Sequence, residues 1–270
     1  VHGAVAASWP AASAICLPEI RMKYLFAFGC PRSGTTVLGH ILNRHPSIAL
    51  GIERFKHIAM GRRSAEFTPE LFEQARFLDI RPDDTNTVRQ NDHLAQKFAS
   101  GRPIRMIGDK IPRLYHRIAQ LRSGFPEAQM VVIFRDPVDV ALSWQARAES
   151  PRDSWPAEND GAKALAEWMS CVDIVAEAQP ACGTKLKIID YDRFFRVPSS
   201  ADLAANIKRL YNAVGLDMQP ANLLRTAEAM RQPRTRKTAE VKPTLAADVA
   251  AQAVALREHA RFRALLAQAI

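Results

Sequence analysis

The sequence predicts an α/β fold in which a mostly parallel sheet is covered by helices. Two observations lead there. Short apolar runs at Tyr24–Phe28, Ile104–Ile107, Met130–Phe134 and Leu186–Ile189 lack polar alternation, as strands buried on both faces do. Between them run stretches of helical periodicity, at Thr35–Leu42, Pro69–Phe77, Arg113–Leu121, Val138–Ala148, Ala162–Ala178 and Ala201–Val214, the last stopped by Gly215. Strand and helix alternating in this way build parallel sheets.

Each part follows in chain order. Residues 1–21 are rich in Ala, Ser and Pro without a basic start, so they read as a poorly ordered extension rather than a secretory leader. A single domain then spans residues 22–270. From about 61 to 101 the chain is helical, polar and strand-free, which predicts an insertion over the carboxyl edge of the sheet, where such folds bind ligands. The run RQPRTRKTAEVKP after Met230 is a poor helix, and a terminal helix follows from Leu245.

Composition excludes several classes. The 270 residues are 47% hydrophobic and 24% charged, too apolar for a disordered chain. No run approaches the roughly 20 apolar residues of a membrane helix; the longest candidate, VVIFRDPVDVALSW, is interrupted by charge and proline. Four cysteines at uneven spacing give neither a disulfide framework nor a zinc pattern, so a reducing, cytoplasmic compartment is expected and no metal site. The formal charge of +9 suits a polyanionic ligand without choosing one.

The sharpest signal is Gly29-Cys30-Pro31-Arg32-Ser33-Gly34-Thr35-Thr36, between the strand YLFAF and the helix VLGHIL. A Gly-bounded loop opening a helix is an anion cradle, because the first helical amides and the helix dipole point at the ligand. Thr35 stands where a nucleotide-hydrolysing loop carries the lysine that bridges the outer phosphates, so transfer of a γ-phosphate is poorly supported. A second strand–turn–helix, VVIFRDPVDVALSW, places Arg135 at the strand end, and Ser143 and Arg147 four apart on one helix face. A guanidinium and a hydroxyl there suit a phosphate monoester.

PRSGTT after a strand resembles the 5'-phosphosulfate loop of sulfotransferases that use 3'-phosphoadenosine 5'-phosphosulfate (PAPS). The likeness covers roughly residues 23–150, is strongest for the bacterial and tyrosylprotein branches, and implies a P-loop-like three-layer fold. It implies that Arg32, Ser33, Gly34, Thr35 and Thr36 line the phosphosulfate site, and that Arg135 and Ser143, at the family's spacing, hold the 3'-phosphate. Arg147 matches an arginine of the tyrosylprotein branch. IIDYDRFF resembles the family's downstream segment around Tyr191, with Asp192 in place of its glutamate. Lys242, in V-K-P, resembles a residue of the late loop that closes over the cofactor, although Arg234, Arg236 and Lys237 are alternatives.

Sulfuryl transfer needs an in-line approach, charge neutralisation at the bridging oxygen and a base for the acceptor proton. Glu53 lies 17 residues after Thr36, at the family's catalytic glutamate, and is preferred as base over His40, His45 and His57. Lys110, in GDKIP, resembles the family lysine at the bridging oxygen; Asp109 beside it reads as a cap. The expected catalytic set is therefore Glu53, Lys110 and Arg32. The expected reaction moves a sulfonate from PAPS to a hydroxyl without a metal, leaving 3'-phosphoadenosine 5'-phosphate (PAP). Among small-molecule, glycan and peptide acceptors, a carbohydrate ranks first; nucleic acid is not expected, since aromatics make up only 7% of the chain. The rivals are a P-loop small-molecule kinase or nucleotide hydrolase, and a nucleotide-binding module without chemistry.

Overall fold

The computed structural model describes residues 22–231 and 243–270. The expected extension over residues 1–21 lies outside the described residues, as do Lys242, Arg234, Arg236 and Lys237. Strand β1 (Lys23–Phe28) runs through the glycine loop into α1 (Thr35–Arg44), and β2 (Ile48–Ile52) leads to α2 (Lys56–Met60). Two short helices, α3 (Gln74–Leu78) and α4 (His93–Ala99), precede β3 (Met106–Lys110). Then come α5 (Ile118–Gly124), β4 (Gln129–Phe134), α6 (Pro137–Ala148), α7 (Gly161–Cys182) and β5 (Leu186–Asp190). Helices α8 (Tyr191–Phe195), α9 (Ser200–Ala213), α10 (Pro220–Arg231), α11 (Ala247–Leu256) and α12 (Ala260–Leu266) finish the fold. No helix of the described residues is long and apolar enough to cross a membrane.

The five strands form one parallel sheet in the order β2-β3-β1-β4-β5, the expected three-layer α/β architecture. Alternation along β1 fills two cores. Phe26 and Phe28 point to the layer of α6 and α7, with Trp144, Trp168 and Val172, whereas Leu25 and Ala27 meet α1, α9 and α10 through Leu38, Ile41, Ile207 and Leu223. The middle of β3 must be glycine: a Cβ on Gly108 would lie 1.7 Å from the Leu25 carbonyl oxygen. Because the order reverses at β1, the crevice beyond its carboxyl end is the ligand position of such sheets, and the glycine loop lies there.

The structure corrects the sequence reading in four places. Ile48–Ile52 is a fifth strand, which its short run and internal Gly51 did not announce. As an edge strand it is closed by side chains rather than by another strand: Asn43 bonds both Leu50 backbone groups, Asn91 accepts from the Ile52 amide, and Lys97 donates to the Ile48 carbonyl. The helix expected over Pro69–Phe77 is a 3-10 turn, Pro69–Phe72, that breaks at the extended Glu73 before α3. Likewise Arg113–Leu121 begins as a 3-10 segment, Pro112–Arg117, that passes into α5.

The fourth correction concerns residues 61–101. They are strand-free but not uniformly polar, since Phe67, Phe72 and Phe77 are buried. These rings pack against Phe26, Phe55 and Phe125, so much of the segment covers a face of the sheet, reaching the carboxyl edge where Thr87 and Asn91 bond the Ile52 carbonyl. A buried ion pair fastens it. Arg54 donates to Asp84 at 2.7 Å and to the carbonyls of Phe77, Arg76 and Asp79, both side chains being fully buried. Pairs of this kind add little over apolar packing, but removing one partner costs about 3–5 kcal/mol because the other charge is stranded.

Candidate active site

The loop between β1 and α1 is built as an anion cradle. Gly34 takes the helix N-cap position at φ 98° and no side chain caps the first turn, so its amides stay available to an anion. The left-handed backbone favours glycine, and the space does too: a Cβ at Gly34 would lie 2.6 Å from the Tyr191 ring. Pro31 is fixed by Trp144, whose indole donates to its carbonyl at 2.9 Å. Ser33 Oγ is buried without a hydrogen-bond partner, an orphan within the loop. Among the described residues only two non-glycines have positive φ, Arg32 at 75° and Glu53 at 55°. Such conformations cost energy and concentrate at functional sites.

Glu53 lies in the turn after β2, where its amide donates to the Lys110 carbonyl at 2.8 Å. Its Oε1 is 3.0 Å from Lys110 Nζ and its Oε2 is 3.0 Å from Lys56 Nζ. Lys110 Nζ also reaches Thr36 Oγ1 at 3.4 Å, so one ammonium links the candidate base to the phosphate loop. Burial alone would raise the Glu53 carboxyl, and the Lys110 and Lys56 ammoniums outweigh it, holding the group below its ordinary 4.5. Glu53 is therefore ionised at neutral pH, with lone pairs left to accept a proton. The Lys110 side chain is fully buried, and Glu53 and Thr36 take two of its three N–H donors.

The second element divides differently from the expected set. Arg135 pairs with Asp139 at 2.9 Å and stacks over the Tyr191 ring at 4.8 Å, which places both beside Gly34. Asp139 is shared with Arg196. Ser143 accepts from Arg32 Nε at 3.0 Å, joining α6 to the loop. Arg147 forms a two-pronged pair with Asp153 and lies over the Trp155 ring at 4.4 Å. Arg135 and Tyr191 thus form one group; Arg32, Ser143 and Arg147 form another.

Arg32, Thr35, Thr36, Glu53 and Arg147 line a cleft of about 250 Å³ together with Lys56, Met60, Arg113 and Trp155. Sequence reasoning missed these last four. Lys56 carried a signal, its spacing three residues after Glu53; Trp155 carried none, since only the loop after α6 folds it back. The other bases are placed elsewhere. His57 is exposed and does not line this cleft, and His45 is buried against the Asp217 carbonyl at 2.9 Å.

A model of the sulfotransferase family matches residues 25–220. The chain belongs to the sulfotransferase family. That is the enzyme family the loop resemblance implied, and PAPS is the family's sulfonate donor. Over 174 residues this sulfotransferase is 26% identical to the nodulation protein NoeE of Sinorhizobium fredii (strain NBRC 101917 / NGR234), a match covering 61% of the chain and 39% of that protein. The chain therefore spans well under half the length of that curated relative. Among solved structures it is similar to the sulfotransferase STF9 from Mycobacterium avium, at 16% identity over 87% of this chain and 76% of that one, TM-score 0.49. Mouse sulfotransferase SULT7A1 complexed with PAP aligns at 15% identity over 77% and 64%, TM-score 0.44.

Asp109 gives this sulfotransferase a pH dependence distinct from that of its glutamate. Its carboxylate accepts the Arg54 and Phe55 amides at 3.0 and 2.8 Å, which pins the turn carrying Glu53. Complete burial pushes it up to about 6, against those two bonds. A raised folded-state value means that protonation relieves a buried charge, so Asp109's own contribution to stability is present at low pH and declines as pH rises through 6. The neutral acid is, however, a weaker acceptor, and the turn loosens. Turnover should fall with a midpoint near pH 6 while PAP affinity holds. A rate flat from pH 7 to pH 5 would show that Asp109 does not govern the turn.

Proposed function

We propose that the chain transfers a sulfonate from PAPS to an acceptor hydroxyl, with a carbohydrate acceptor ranked first. The observation that carries the reading is the contact of Lys110 with both Glu53 and Thr36, which links a base and the phosphate loop, both lining the cleft, through one buried cation beneath them. The donor site fits the residues present: uncapped α1 amides and Thr36 would hold the phosphosulfate, and Arg135 with Tyr191 would take the 3'-phosphate end. When bound, PAPS supplies an activated sulfonate on a good leaving group.

Glu53 Oε1 accepts the proton of the acceptor hydroxyl as that oxygen bonds to sulfur. Lys110 turns its third N–H to the bridging oxygen as the sulfur–oxygen bond breaks, and its buried position keeps water from weakening that bond. Trp155 lines the cleft with Arg147 over its ring, and Lys56 lines it beside Glu53, so that the hydroxyls of a sugar can meet both cations. The buried, free Cys30, Cys171 and Cys182 agree with the reducing, cytoplasmic setting proposed for the protein.

Calorimetry with PAP and ADP tests the donor assignment. Loss of the 3'-phosphate removes charge-assisted bonds worth roughly 1.5–3 kcal/mol each, so PAP should bind at least about tenfold more tightly. Arg135→Ala should weaken PAP and leave ADP nearly unchanged. Equal affinities for the two ligands would exclude PAPS as donor.

A further inference from the structure

A second cavity, of about 820 Å³, opens between α1 and α4 along the outer edge of β2. Among the described residues Arg44, Lys97 and Arg102 line it, no Asp or Glu does, and none of these three forms a salt bridge. Lys97 points its ammonium at the carbonyls of His45 and Ile48, at 2.7 and 2.5 Å. Burial, with no carboxylate opposing it, lowers Lys97 to about 8, so the group is still charged at neutral pH. The active-site cleft, by contrast, has its Lys56, Arg113 and Arg147 each matched to a carboxylate. Uncompensated positive charge is therefore concentrated in this groove.

We infer that the groove between α1 and α4 is a subsite for an acidic oligosaccharide, holding carboxylate or sulfate groups of the acceptor chain away from the hydroxyl being modified. This rests on the sulfotransferase reading and names its substrate class. Three features point to a glycan. Gln96 lines the groove beside the cations and suits sugar hydroxyls, whereas the lining among the described residues has no Phe, Tyr or Trp ring on which a nucleic-acid base could stack, its only aromatic rings being the imidazoles of His40 and His93. The groove shares α1 with the reaction centre: Thr36 at the start of the helix lines the cleft and Arg44 at its end lines the groove, eight residues or about 12 Å apart along the helix. An extended chain can occupy both, while a small phenol needs only the cleft.

The test is calorimetric binding, to the intact protein, of a heparin-derived hexasaccharide, neutral chitohexaose and a single-stranded DNA 12-mer. The hexasaccharide should bind at least tenfold more tightly than chitohexaose. Arg44→Gln with Arg102→Gln, both exposed positions whose fold is checked by thermal melting, should reduce hexasaccharide affinity by tenfold or more and leave PAP affinity unchanged. The inference is overturned if the variant binds the hexasaccharide like the wild type, if the neutral glycan binds equally well, or if DNA binds more tightly and is the ligand the variant loses. Failure to bind PAP, with arginine-dependent hexasaccharide binding intact, would instead remove the sulfotransferase reading and leave the anionic-glycan site standing.

Discussion

Glu53→Gln should lower turnover by roughly 10²–10⁴ while PAP affinity stays within a few fold. The substitution keeps the shape and the hydrogen bond from Lys110 Nζ at 3.0 Å but removes proton acceptance. Its effect should therefore shrink with the acidity of the acceptor: a phenol that gives up its proton easily depends less on a base. Steady-state rates over a series of substituted phenols would show this as a steeper dependence on acceptor acidity in the variant. Near-normal turnover in Glu53→Gln, with His57→Ala abolishing activity in a folded protein, would transfer the base role to His57.

Lys110→Met should cost about 10²–10³ in turnover, the scale on which a single preorganised donor acts on developing charge. Methionine fills the space of a fully buried side chain, so the loss is not that of a cavity. The two variants should then separate. Lys110 serves the leaving oxygen, so a more acidic acceptor should rescue Lys110→Met less than Glu53→Gln. Removing the ammonium also takes away one of the two cations that hold Glu53 below its ordinary value, and the acid limb due to Glu53 should move upward in pH. Equal rescue of both variants by an acidic acceptor would place Lys110 on the acceptor side of the reaction.

The loop and its helix were legible because their chemistry is local: Gly29, Gly34 and the following threonines sit within eight residues whose geometry the flanking strand and helix dictate. Glu53 and Lys110 were found through family-like spacing, and the positive φ of Glu53 and its salt bridge with Lys110 are facts no pattern of residues carries. β2 stayed hidden because five residues with an internal glycine give too short a run to read; its pairing with β3 and the side-chain bonds on its free edge define it. The separation of Arg135, paired with Asp139, from Ser143, bonded by Arg32, was equally invisible, since it depends on which face of α6 the strand end and the loop each meet. Trp155 comes to the cleft from a loop whose course sequence periodicity does not describe, and Arg113 from the 3-10 segment that follows β3.

The measurement closest to the central claim is transfer of labelled sulfate from PAPS onto an extract of glycans, lipids and peptides, run with excess chelator and, in parallel, with labelled ATP and magnesium. Because Thr35 stands in place of the loop lysine that γ-phosphate transfer requires, label should move from PAPS to a glycan fraction in both the presence and absence of chelator, and none should move from ATP. Magnesium-dependent transfer of phosphate from ATP, with no transfer from PAPS to any fraction, would contradict it.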